Sequence, residues 1–212
     1  MNDKATYLEI PLAEREAPPL LIVLSGPSGV GKDTIIDRMR ERELPFYYTV
    51  TATTRPQREN EIHGVHYLFV TNQEFNELFK QGELLENATV YGNSYGIPKA
   101  GVRAALAQGE DVIMKPDVQG AAHLKRVIPD AVFIFIAPVS LEELTLRLMK
   151  RGTETPETLA RRLNNYQVEM RAAGSFDYYV INREGKLDET VDNILAIMRA
   201  EKSRVTPRQV RL

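Results

Sequence analysis

The chain has 212 residues, no cysteine, 43% apolar and 26% charged residues, and a formal net charge of −2 at pH 7. That length suits one sizeable α/β core. The missing thiols exclude a disulfide framework, a thiolate zinc site and a cysteine nucleophile, and the near-neutral charge argues against broad nucleic-acid binding.

Residues 1–19 read as a flexible lead-in ending at Pro18-Pro19, with no apolar signal core. No apolar run reaches the length of a membrane span. A cytoplasmic monomer or homodimer with no membrane or nucleic-acid partner is expected. Residues 20–24 form an apolar strand pattern running into Gly26-Pro27-Ser28-Gly29-Val30-Gly31-Lys32, and a helical pattern starts at Asp33 and fades near Leu44. A buried strand feeding a tight turn at a helix start aims backbone N–H groups and the positive helix end at one point. Glycines let the backbone wrap a phosphate, and Lys32 adds a charge for the outer phosphates. An ordinary strand–turn–helix junction is the plain alternative. The full pattern places Ser or Thr after the lysine; here Asp33 stands there, with the hydroxyl one place later at Thr34. Asp33 then points away, reaches a metal through water, or is neutralised by a basic group.

A second alternating unit at residues 46–50 gives way to a polar loop over 51–64 bearing Arg55 and Arg58, then to a strand over 65–70. Asn72 is the expected cap of a helix that Gly82 stops. Residues 84–97 suggest a hairpin turning at Gly92-Asn93, and Pro98 opens a helix closed by Gly109. Strands follow at 111–114, 131–136 and 178–181, and helices at about 117–127, 140–151, 155–173 and 187–203. Ser140 and Glu143 have capping-box spacing. Strands alternating with helices predict an α/β fold with a parallel sheet covered on both faces, and a β-rich insert at about 51–97.

Residues 51–58 and 64–70, residues 92–99, residues 117–121, Leu146-Arg147-Leu148 and residues 151–154 occur in an order that resembles the guanylate kinases from about residue 20 to 203. The resemblance implies a P-loop three-layer fold with core segments 20–50 and 98–203, a GMP-binding insert at 51–97, a helical lid at about 148–162, and a tail at 204–212. It also implies phosphoryl transfer from ATP to GMP and dGMP, with Mg²⁺ held mainly by phosphates and water. Residues 26–34 and Asn182 would serve ATP. Arg55 and Arg58, helped by Tyr67 and Tyr95, would grip the GMP phosphate, and Thr51, Glu86 and Asp117 would read guanine. Lys32, Arg55, Arg147, Arg151 and Arg162 would surround the transferring group, with Arg161 competing for the last role. By spacing alone, the arginines and Glu86 equally suit solvated surface positions.

Three positions depart from that family. Ile97 replaces a Ser or Thr, removing a hydroxyl donor for the guanine 6-oxo group, at a cost of about 1–3 kcal/mol for an unpaired buried polar group. Lys115 stands where relatives carry an acidic residue, and Asp33 departs with it. A compensating Asp33–Lys115 pair is expected, the alternative being two independent changes. Arg183 replaces an acidic residue near the expected adenine side. His63, His66 and His123 lack metal-ligand spacing, and Arg204, Arg208 and Arg211 are expected to be solvated. Two other readings remain open. One is a kinase of this fold acting on another acceptor such as ribose 1,5-bisphosphate. The other is a catalytically weakened binding module.

Overall fold

Strand β1 (Leu21–Ser25) sits at the centre of a five-stranded parallel sheet, and every one of its residues is buried. The computed structural model describes residues 17–90, 92–150 and 156–212, without the side chains of residues 150 and 156–162. The sheet contains β2 (Tyr47–Tyr48), β7 (Val112–Met114), β1, β8 (Val132–Ala137) and β9 (Tyr178–Ile181), in that order. Alternation along β1 divides the core. Ile22 and Leu24 face α1 (Lys32–Glu41) and α7 (Leu187–Lys202), packing with Ile35, Met39, Val191 and Ile194. Leu21 and Val23 face α3 (Lys99–Ala107) and α4 (Val118–Val127), packing with Val102, Ala105 and Leu124. Two covered faces explain the unbroken apolar runs. These three layers, the expected α/β arrangement, bring the carboxyl ends of β1 and β7 side by side, the usual place for a ligand in such sheets.

A second sheet has the order β4 (Tyr67–Phe69), β3 (Thr51–Thr53), β6 (Asn93–Pro98) and β5 (Leu84–Val90), with α2 (Asn72–Lys80) packed against it through Phe75. Thr51 therefore lies on a strand, where the sequence suggested the start of a loop. Its segment pairs with β4 and β6, and such tertiary pairing overrides a polar local composition. The helix cap is Thr71, one residue earlier than expected, in a full capping box with Glu74. Pro98 ends β6 and caps α3, rather than being its first residue. Helices α5 (Leu141–Lys150) and α6 (Pro156–Arg171) follow β8 in the chain.

Arg208 contradicts the expectation of a solvated tail. Its guanidinium holds both oxygens of Glu201, at 3.0 Å each, and donates to the Ala131 carbonyl. Glu201 has no exposed side-chain surface. Burial opposes its ionisation, but Arg208 and the Tyr178 hydroxyl outweigh that, so its pKa lies below the usual carboxylate range. A lowered pKa contributes stability present above about pH 4.5 and lost as pH falls. Arg208→Ala is expected to cost about 3 kcal/mol in urea unfolding at pH 7, since removing one partner leaves a buried charge behind. That deficit should shrink on acidification; a loss independent of pH would contradict the ion-pair account.

Candidate active site

The phosphate loop bends where only glycine fits. Gly26 has φ 150°, and a Cβ there would stand 2.0 Å from the Ile136 carbonyl oxygen on the neighbouring strand. Gly31, at φ 101°, caps α1, and a Cβ on it would press on the Asn182 amide. Pro27 shapes the turn by accepting the Val30 N–H. Lys32 Nζ lies within the loop, donating to the carbonyls of Gly26 at 2.7 Å and Pro27 at 3.3 Å. Burial lowers its pKa, while Asp33, Glu169 and Asp117 work to hold the charge.

One cleft joins this loop to the second sheet. It is lined by Gly26, Ser28–Asp33 of the loop, by Thr51, Arg55, Arg58, Tyr67, Glu86 and Tyr95, and by Lys115, Asp117 and Glu169. All seven residues that the resemblance assigned to GMP thus share one cleft with Lys32. Tyr67 and Tyr95 meet edge to face, with ring centres 6.3 Å apart. Arg55 and Arg58 gather around Glu61: Arg55 Nη2 donates to both carboxylate oxygens at 2.7 and 2.9 Å, the backbone N–H of Arg58 donates at 2.8 Å, and the Arg58 guanidinium lies 3.9 Å away. Burial works to raise the Glu61 pKa, but these donors prevail and lower it. The arginines therefore already converge on a single anion, which suits a phosphate grip.

Glu86 is the most unusual group. A register shift in β5 between Leu84 and Asn87 leaves Leu84, Leu85 and Glu86 buried in succession. Bulges re-aim side chains in this way. Glu86 is 4% exposed and its Oε2 has no hydrogen-bond partner among the described residues. Burial, and then the Asp117 carboxylate, push its pKa up to about 8. Helix α4 approaches so closely that a Cβ on Gly120 would lie 2.6 Å from that oxygen. Asp117 caps the same helix through the Gly120 N–H. Thr51 Oγ1, also buried, likewise lacks a partner. Ile97 is fully buried among Leu85 and Val102 in the core and does not line the cleft.

A second, adjoining cavity is lined by Gly29, Gly31, Thr34, Arg147, Asn182 and Arg183, with Glu184, Gly185 and Leu187. Asn182 Nδ2 donates to the Val30 carbonyl at 2.8 Å, and Thr190 donates to its Oδ1, so this residue braces the loop. Arg147 donates to the carbonyls of Val30 and Asn182 and pairs with Glu143. Glu143 accordingly gives its carboxylate to Arg147; only the Ser140 half of the expected box, accepting the Glu143 N–H, is formed as drawn from the sequence. Arg151 lies outside the described residues. Arg162 is on α6, but its side chain lies outside them too.

Lys115 Nζ donates to Asp33 Oδ1, and the expected pair is present. The β1–β7 register explains it: Val23 is beside Met114, so the loop after β1 and the residue after β7 are neighbours. Burial works to lower the Lys115 pKa; the Asp33 charge and the Tyr67 hydroxyl outweigh it and raise the value. Among the described residues no cluster of three His, Cys, Asp or Glu side chains could hold a metal. The Asp33 carboxylate, 43% exposed, and the Thr34 hydroxyl at the loop's end are oxygen donors of the kind a magnesium ion takes.

Sequence reasoning missed three contributors. Glu61, three residues after Arg58, organises both arginines. Gly120 makes room for the Glu86 carboxylate. Glu169 accepts the Ser28 N–H at 3.2 Å, placing an α6 carboxylate on the phosphate loop. The first was signalled only by i,i+3 charge spacing, and the other two depend on helices approaching across the cleft.

The family profile described as guanylate kinase matches residues 19–201. Guanylate kinase 2, chloroplastic/mitochondrial, of Oryza sativa is 41% identical over 208 residues, covering 98% of this chain and 73% of that protein. The guanylate kinase of Clostridium perfringens is 44% identical over 186 residues, covering 88% and 85%. A crystal structure of guanylate kinase from Anaplasma phagocytophilum superposes with a TM-score of 0.74 at 32% identity, covering 89% of each chain.

Proposed function

The chain belongs to the guanylate kinase family, and we propose that its cleft joins ATP on the phosphate loop to GMP beneath the second sheet, yielding ADP and GDP. One observation carries this reading: a buried carboxylate oxygen, Glu86 Oε2, with no hydrogen-bond partner among the described residues, shares a cleft with Lys32, Arg55 and Arg58. Such an oxygen calls for N–H donors, and guanine offers its N1–H and N2 amino group along one edge. Thr51 and Asp117 flank the same base. Arg55, Arg58, Tyr67 and Tyr95 take the acceptor phosphate, whose charge replaces that of Glu61 between the guanidinium groups. Deoxyribose GMP meets the same contacts and is accepted.

The loop N–H groups of residues 26–34 and Lys32 hold the ATP phosphates, and Asn182 steadies the loop from below. Magnesium supplies neutralising charge to those phosphates when bound. Arg147, Arg151 and Arg162 belong to the lid that closes over the reacting groups. Little covalent chemistry is asked of the protein in phosphoryl transfer; placement and charge do the work. Among the described residues no helix is long and apolar enough to cross a membrane.

A coupled assay of ADP formation across GMP, dGMP, AMP, UMP and ribose 1,5-bisphosphate tests the reading. Turnover with GMP and dGMP, and little with the others, is the expected result. Turnover confined to the ribose bisphosphate would reassign the acceptor. Turnover with none, together with retained GMP binding, would make this a binding module.

A further inference from the structure

Lys115 stands where the two phosphate sites meet. It follows β7, whose neighbour β1 runs directly into the phosphate loop. Its side chain is 8% exposed, and its ammonium touches Asp33, the residue after Lys32. The same ammonium lies over the Tyr67 ring, 4.3 Å from its centre. Arg55 rests against that ring as well, with its Cζ 5.3 Å from the centre. One cation therefore links the loop that serves the donor to the wall that serves the acceptor, and it lines the cleft between them.

A purely structural role explains this arrangement poorly. Burying an ammonium to pair it with a half-exposed carboxylate contributes little to stability, because the ammonium is desolvated while water screens its partner. Asp33 also has little need of it. Its side chain is 43% exposed and it lies in the first turn of α1, where the helix end favours an anion.

We propose that Lys115 is a further catalytic residue, whose ammonium meets the phosphoryl group as it passes from ATP to GMP, with Asp33 as its resting counter-ion. This rests on the reading of GMP as acceptor. In the step, the bond between the γ-phosphorus and the β–γ bridging oxygen breaks, and its electron pair stays with ADP. A GMP phosphate oxygen supplies the pair for the new P–O bond, and no proton needs to move. Charge gathers on the peripheral and bridging oxygens, where a fixed ammonium in a closed cleft stabilises it more than it stabilises either substrate. Asp33 holds the ammonium in position beforehand and gives way when the far more negative phosphates arrive.

The test compares Lys115→Met and Lys115→Arg with the parent chain. GMP turnover by the parent is measured first, so that a failure of the functional reading shows there and a failure of this proposal shows only in the variants. Lys115→Met is expected to lower kcat about 100-fold while KM for ATP and GMP moves by no more than about threefold. Lys115→Arg should recover part of that loss. A bisubstrate probe, adenosine and guanosine joined through five phosphates, should bind Lys115→Met about tenfold more weakly in calorimetry, while GMP alone binds as before. Retention of kcat within about threefold overturns the proposal. So does a loss of activity that follows a loss of Tm, with arginine no better than methionine. Should the methionine variant fail to fold, Lys115→Gln is put through the same measurements.

Discussion

Lys32→Met is expected to lower kcat for GMP phosphorylation by about 100- to 1,000-fold, the usual cost of removing one preorganised charge from a transition state. Methionine keeps the length and most of the packing of the lysine stem, so Tm should stay close to the parent value. The ammonium is poised rather than buried for structure: its partners are two loop carbonyls at 2.7 and 3.3 Å, which cleft water can satisfy once it is gone. Burial lowers its pKa, and the carboxylates of Asp33, Glu169 and Asp117 oppose that. Nucleotide phosphates add to the opposing side, so the charged form is reinforced at the moment it is needed. Steady-state rates with saturating ATP and GMP decide the matter. Turnover near the parent level would remove Lys32 from the chemistry.

Glu86→Gln should reduce kcat/KM for GMP by about 100-fold or more, because a site built to pair polar groups discriminates strongly once one of them is wrong. Glutamine presents an amide N–H where guanine presents its own donors. In the parent chain, Glu86 has a pKa pushed up to about 8 by burial and then by Asp117. The protonated form is thus favoured in the fold. Its contribution to stability is complete below about pH 4.5 and is lost as pH rises toward about 8. Glu86→Gln should flatten that part of the stability profile and be the more stable protein at alkaline pH. Guanine binding instead selects the carboxylate, so GMP association at pH 7 should release a proton. Calorimetry in buffers of different ionisation enthalpy reads that proton directly. A binding heat independent of buffer would show that Glu86 does not receive the base.

Several parts of the site were legible from local pattern. The phosphate loop declared itself because strand, glycines, lysine and helix must follow one another in the chain. Arg55 and Arg58 shared a polar segment, and the paired departures at Asp33 and Lys115 pointed to the contact that β1 and β7 make. Arg208 misled, since a lone arginine near a terminus has no local sign of the buried Glu201 it will meet. Thr51 misled in a similar way, its polar surroundings concealing a strand held by partners on both sides.

By itself the sequence determined the layered α/β order, the two-sided burial of the central strands and the identity of the anion-binding loop. These follow from periodicity and from backbone requirements of neighbouring residues, which are local quantities. Only the tertiary structure decided that Glu86 turns inward, that Gly120 leaves room for it, that Glu61 gathers two arginines, and that Lys115 lies over the Tyr67 ring. Each of those depends on a bulge or on two elements meeting across the cleft, and burial of a charge is a property of the surroundings, which residue spacing does not encode.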